Sequence, residues 1–144
     1  MIGGRFGRLG SRDGRLKMPF GLRFSGDGSG LCVADSWNLR ASVFRVADGE
    51  FVRHISTLLH GPYDVEEVEG GWLVACEGSH TVEFVCGGAG GAGGAGGGWP
   101  SLGKACGGYG SEDGKFNRPT ALAVVPGLGL VVREYGNERL QVFG

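Results

Sequence analysis

Apolar residues along this chain fall in short runs separated by Gly-, Asp- and Ser-rich breaks, and the runs predict strands. In the first third they cover Phe20–Phe24, Leu31–Ala34, Ala41–Arg45 and Phe51–Ile55, with turn chemistry at 25–30 and at Ala47-Asp48-Gly49. In the last third they cover Ala121–Val125, Leu130–Arg133 and Leu140–Phe143, with Pro126-Gly127-Leu128-Gly129 as the first turn. No stretch carries a convincing helical period. The chain reads as all-β.

The strands recur in a fixed order. Asp13-Gly14-Arg15-Leu16-Lys17-Met18-Pro19 introduces one set, and Asp113-Gly114-Lys115-Phe116-Asn117-Arg118-Pro119 introduces another. Each continues to an acid (Asp35, Glu134), an Asn-x-Arg (Asn38 to Arg40, Asn137 to Arg139) and a Val-Phe pair. A more degenerate copy runs from Pro62 to Val85. The copies start 43 residues apart (Pro19 to Pro62) and then 57 apart (Pro62 to Pro119), the excess matching a tract of only Gly and Ala from Gly87 to Gly98. Without that tract the period approaches the roughly 40–45 residues of a four-stranded blade. Repetition at this length specifies units that bury a face only by stacking on a neighbour.

The degenerate copy replaces both the acid and the base, by Cys76 and Thr81. Their joint loss predicts an ion pair across the hairpin in the other two copies, Asp35 with Arg40 and Glu134 with Arg139, since stranding one buried partner is costly.

Composition narrows the function classes. A net charge of −1 over 144 residues gives no bulk attraction to nucleic acid or anionic lipid. The charge is uneven: residues 1–53 carry +4, residues 54–103 carry −6 and residues 104–144 carry +1. Cys32, Cys76, Cys86 and Cys106 form no Cys-x-x-Cys pair, and Cys32 and Cys76 lie in predicted strands as small buried hydrophobes. No signal-peptide h-region and no run of spanning length appears, so the expectation is a soluble intracellular domain without a membrane partner.

Nucleotide and metal chemistry find little support. Gly98-Trp99-Pro100-Ser101-Leu102-Gly103-Lys104-Ala105 approaches a phosphate-binding loop but lacks the Ser/Thr hydroxyl and a following helix. The Gly-x-Gly-x-x-Gly match inside the Gly/Ala tract follows from composition alone. That tract predicts a flexible excursion. His54, His60 and His80 show no ligand spacing, and the predicted innermost strands offer chiefly Arg23, Asp64, Glu66 and Glu67. No cofactor, metal or catalytic residue is expected.

The pattern Asp-Gly-x-(Phe/Leu)-x-x-Pro, then Leu-x-Val-Ala-Asp, then Asn-x-Arg-x-x-Val-Phe resembles the NHL repeat. It covers Asp13 to Phe44 and Asp113 to Phe143, with Pro62 to Val85 as a weaker copy. The resemblance implies a β-propeller of four-stranded antiparallel blades, usually six per ring, of which this chain carries about three. The implied division is an outer strand of a preceding or closing blade at 1–10, blades at 11–58, 59–86 and 110–144, and an insert at 87–109. Family members mostly serve as platforms for protein or RNA, and some resemble lyases with a channel metal.

In that fold the inter-blade linkers and the hairpins between second and third strands share one face. By register it holds Arg12, Arg15, Lys17, Trp37, Arg40, Tyr63, His80, Lys115, Arg118, Tyr135 and Arg139, while Asp27, Asp48 and Glu50 lie opposite. Basic groups among aromatics suit a partner's carboxylates or a stacked base. The expected function is a non-catalytic protein-binding scaffold. Single-stranded RNA binding and a lyase-like enzyme are the alternatives. Phe20, Phe24, Phe44, Phe84, Phe116 and Phe143 are expected between blades as core. The register also places residues 5–7 beside Leu140 to Phe143, within one chain or between two. It leaves open a homodimer closing a six-bladed ring or further blades in a longer parent chain.

Overall fold

A computed structural model describes residues 4–56, 59–86 and 105–144. Two short strands, β1 (Arg8–Leu9) and β2 (Arg15–Leu16), pair in parallel ahead of the first blade. That blade is an antiparallel meander of β3 (Pro19–Phe24), β4 (Gly30–Asp35), β5 (Arg40–Arg45) and β6 (Phe51–Ser56). The second blade is β7 (Pro62–Val68), β8 (Gly71–Cys76), β9 (Thr81–Cys86) and β10 (Ala105–Gly107). The third is β11 (Pro119–Val125), β12 (Gly129–Glu134) and β13 (Arg139–Phe143). The only helical turn among the described residues is the 3-10 turn Ser36–Asn38. The fold is all-β, built of blade-like antiparallel sheets.

The outer strand of the second blade departs from the expected boundaries. Ala105–Gly107 pairs antiparallel with Thr81–Glu83, so it belongs to the blade and not to an insert ending at 109. The Gly/Ala tract therefore separates the third and fourth strands of one blade. The tract itself, the phosphate-loop look-alike up to Lys104 and the expected flexible excursion lie outside the described residues.

The three units repeat in backbone detail. The residue before each blade's opening proline has positive φ: Met18 at 50°, Gly61 at 64° and Arg118 at 55°. At that point the linker accepts two N–H bonds from the hairpin tip. Ser36 and Trp37 donate to Met18 and Lys17, Glu77 and Gly78 to Gly61 and His60, and Tyr135 and Gly136 to Arg118 and Asn117. The residue before the third strand is also left-handed in every blade: Leu39, His80 and Glu138. Five non-Gly residues thus hold a costly conformation at equivalent places, which persists only where the surroundings over-determine it.

Two apolar layers separate the blades. Cys32, Ala34, Ala41 and Val43 of the first meet Val65, Trp72, Val74 and Cys76 of the second. Leu73, Ala75 and Val82 on the other face of the second meet Leu122, Leu130 and Val132 of the third, with Phe116. The innermost strands lie side by side. Gly21 is required there, because a Cβ at that position would stand 2.6 Å from the Asp64 Cα. Phe44 and Phe116 are core as expected, but Phe20 and Phe24 are exposed, Phe20 with its ring stacked on Tyr63 of the second blade. Within this chain Phe6 lies on Phe44, with ring centroids 5.3 Å apart, while Phe143 meets Phe116.

Candidate functional site

The hairpin–linker face is organised by two buried carboxylates. Asp35 accepts from the Lys17 N–H at 2.6 Å, Asn38 Nδ2 at 2.8 Å and Arg40 Nε at 2.9 Å. Arg40 then donates Nη1 to Ser11 O, and Nη2 to Arg12 O and Arg15 O. One acid and one base thereby fasten the whole 11–17 linker to the blade. The third blade repeats the device. Glu134 accepts from the Asn117 N–H, Asn137 Nδ2 and Arg139 Nε, and Arg139 donates to Ser111, Glu112 and Lys115 carbonyls. The ion pairs expected from the sequence are therefore present, at 2.9 Å and 2.6 Å.

This arrangement reassigns two residues of the expected contact face. Arg40 is buried and Arg139 is half-buried, and their guanidinium donors are spent on linker carbonyls and a carboxylate. They support the face from beneath.

Burial pushes the Glu134 carboxyl up, but Arg139, the Asn117 N–H, Gln141 and Asn137 outweigh it and hold it below its ordinary value. A carboxyl depressed in the folded state contributes stability above its unfolded pKa of about 4.3 and loses it as pH falls through the folded value. Urea midpoints measured on acidification should fall on that leg, and Glu134→Gln should flatten it. An unchanged pH slope in Glu134→Gln would remove this carboxylate as the cause.

A second network escaped the sequence reading. Across β5 and β6, Ser42 Oγ lies 3.0 Å from His54 Nδ1, and His54 Nε2 lies 2.9 Å from Asp13 Oδ1. Asp13 only accepts, so in the neutral imidazole Nε2 donates to it and Nδ1 accepts from Ser42. The Ser–His–Asp order resembles a nucleophile relay, but Ser42 is buried. Its third-blade counterpart, Gln141, does comparable work, accepting from Gly114 N–H and donating to Lys115 O. Both positions tie the Asp-Gly turn of the linker to the third strand. No local spacing announces such a contact, since Asp13 and His54 meet only through blade register.

Above the clamps lie the exposed groups. Trp37 and Tyr135 project from the hairpin tips. Lys17 Nζ stands 5.5 Å from the Trp37 ring, and the Arg118 guanidinium stands 4.8 Å from the Tyr135 ring. Arg118 also pairs with Glu77, and its N–H donates to His80 Nδ1 at 3.0 Å. His80 meets Tyr109 edge-on at 5.0 Å. Blades two and three are thus joined by a continuous patch of Glu77, His80, Tyr109, Arg118 and Tyr135. Arg12, Arg15 and Lys115 are exposed on the linkers. Tyr63 stacks on Phe20 at 4.0 Å, at the inner strands. Glu77 and Tyr109 were not expected on this face. The acid compensates Arg118, and Tyr109 sits in the linker bridge with Phe116.

The inner-strand charges are spent between blades. Arg23 lies 2.6 Å from Glu66, Glu67 accepts from the Gly26 N–H, and Asp64 accepts from the Leu122 N–H at 2.9 Å. Burial raises the Glu66 carboxyl against the opposing pull of Arg23. Cys32 and Cys76 are free and fully buried, and burial pushes the Cys32 thiol up to about 12. Among the described residues no three His, Cys, Asp or Glu side chains converge as metal ligands, and no helix is long and apolar enough to cross a membrane.

A scan of family models finds no match to this chain, and a search of curated proteins finds none either.

Proposed function

We propose that this chain is a set of NHL-type propeller blades acting as a protein-binding scaffold, with the hairpin–linker face as its contact surface. The observation that carries the reading is the repeated pairing of an exposed hairpin aromatic with a linker cation, Trp37 with Lys17 and Tyr135 with Arg118. Exposed aromatics held by cations offer large contact area at low entropic cost, and aromatic and Arg side chains dominate binding hot spots. The cations Arg12, Arg15 and Lys115 around them select a ligand segment bearing carboxylates. The buried clamps pre-organise the surface, because Arg12, Arg15, Lys17 and Lys115 are each fixed to a clamp through their own backbone.

Selection of displayed random peptides on the chain should return acid-containing sequences. Their affinity should drop by about tenfold or more in Trp37→Ala/Tyr135→Ala, as expected for loss of hot-spot residues, while the variant's melting curve stays unchanged. Tight binding of a single-stranded RNA with a steep salt slope, and none of acidic peptides, would favour the RNA reading instead. Unchanged peptide affinity in the double variant would sink the proposed face.

A further inference from the structure

The first and third blades seat their linkers on the same clamp, so their surface positions can be compared one by one. Asn38 Nδ2 donates to Gly10 O and Asn137 Nδ2 to Gly110 O, both at 2.9 Å. Arg40 then takes the carbonyls of residues 11, 12 and 15, and Arg139 takes those of 111, 112 and 115. One backbone arrangement thus displays two sets of side chains. Arg12 stands where Glu112 does, Lys17 where Asn117 does, and Leu39 where Glu138 does. Residues 11–17 hold three cations and one acid, a net +2, while residues 111–117 hold one cation and two acids, a net −1.

These positions stay open beside a neighbouring blade. Glu112 and Lys115 are exposed with the second blade before them, and Leu39 is 46 % exposed with the second blade after it. The contrast therefore belongs to the side chains themselves.

The two ends of the face also differ in how their charges are met. Among the described residues no carboxylate pairs with Arg12, Arg15 or Lys17, and the linker's own acid, Asp13, is taken by His54 at 2.9 Å. Toward the third blade Arg118 is paired with Glu77, and Glu112, Asp113 and Glu138 are exposed. The apolar groups follow the uncompensated cations. Trp37 and Leu39 stand exposed together at the first hairpin tip, where the third blade has Gly136 and Glu138. Tyr135, the aromatic group of the third tip, faces Arg118.

We infer that the platform reads the charge order of its ligand. The carboxylates of the partner's segment lie over the first blade, flanking a bulky apolar side chain seated on Trp37 and Leu39. The end that lies over the third blade carries no acid, because Glu112 and Glu138 repel one and favour Lys or Arg. Repulsion at one end discriminates as effectively as attraction at the other. A strand of RNA carries phosphate throughout and would meet those same acids, which favours a protein segment. This inference rests on the proposed contact face and specifies which part of the ligand each blade takes.

Two synthetic peptides test it on the full chain. One carries Glu-Phe-Glu at one end and Lys-Ser-Lys at the other, and the second carries Glu-Phe-Glu at both ends. The bipolar peptide should bind about fivefold tighter, as two exposed charge contacts change from repulsive to attractive. Glu112→Arg/Glu138→Leu places the first blade's residues on the third and should abolish that preference while leaving the melting curve unchanged. A nitroxide at the acid end of the bipolar peptide should broaden the Trp37 and Leu39 amides, and one at the basic end those of Tyr135 and Glu138. Equal affinity for the two peptides, or an acid end that broadens Tyr135 and Glu138, overturns the inference and leaves the contact face standing. Binding of neither peptide overturns the contact face and the inference with it.

Discussion

Asp35→Ala should destabilise the protein by about 3–5 kcal/mol, the range for removing one partner of a buried ion pair. The loss is larger than a surface pair would give, because Asp35 is fully buried and Arg40 nearly so. Three donors lose their acceptor at once: the Lys17 N–H, Asn38 Nδ2 and Arg40 Nε. The guanidinium that remains is uncompensated in a site sealed by linker carbonyls. Asp35→Ala/Arg40→Ala should therefore cost less than the sum of the single changes, with an interaction energy in the upper part of the usual range of about 0.5–3 kcal/mol. Denaturant unfolding of the four proteins measures it. Additive effects would mean that Arg40 is held by Ser11, Arg12 and Arg15 alone. The equivalent Glu134–Arg139 pair should couple more weakly, since Arg139 is only half-buried.

Phe116→Ala should cost about 3–5 kcal/mol as a large-to-small change in a closed core. Phe116 is completely buried in the layer between the second and third blades. Its ring meets Phe143 with centroids 5.8 Å apart, and its backbone N–H donates to Gly108 O. It is a linker residue, so its loss should loosen the linker as well as the layer. Calorimetry should show a lowered Tm, and exchange at Gly108 to Gly110 should quicken. A cost below about 1 kcal/mol would mean that the neighbouring chains collapse into the space.

The strands were legible because turn chemistry marks each break, and most bounds agree with the structure to within a residue. The clamps were legible for another reason. The degenerate copy lost Asp and Arg together, and a joint loss is the signature of a shared function. What the sequence concealed depends on neighbours in space. Phe20 and Phe24 carry the pattern of a core strand, yet both are exposed, because strand pattern alone does not say which positions a neighbouring blade buries, and Phe20 meets the second blade through the face of the Tyr63 ring. The Ser42–His54–Asp13 network joins residues from a linker and two strands, brought together only by blade register. The strand Ala105–Gly107 is three residues long, follows a Gly/Ala tract and has no β-branched residue, so nothing in its composition marks it.

Arg40 and Arg139 sit at the level of the expected contact face but beneath its surface. Register fixes the level of a side chain in the blade, and both are at the right level. It does not reveal that the linker lies over them, with its carbonyls accepting from both guanidinium groups. The basic character of the face therefore comes from Arg12, Arg15, Lys17, Lys115 and Arg118, with Arg40 and Arg139 as the rivets below.

In the proposed function the hairpin tips and linkers form one binding platform resting on those clamps. Chemical-shift mapping with an acidic peptide selected on the chain tests it most directly. Shifts should concentrate at Lys17, Trp37, Arg118 and Tyr135, and the turns at Asp27 and Asp48 on the opposite side should stay silent. Shifts confined to those opposite turns, or to the inner strands around Asp64 and Glu66, would contradict it.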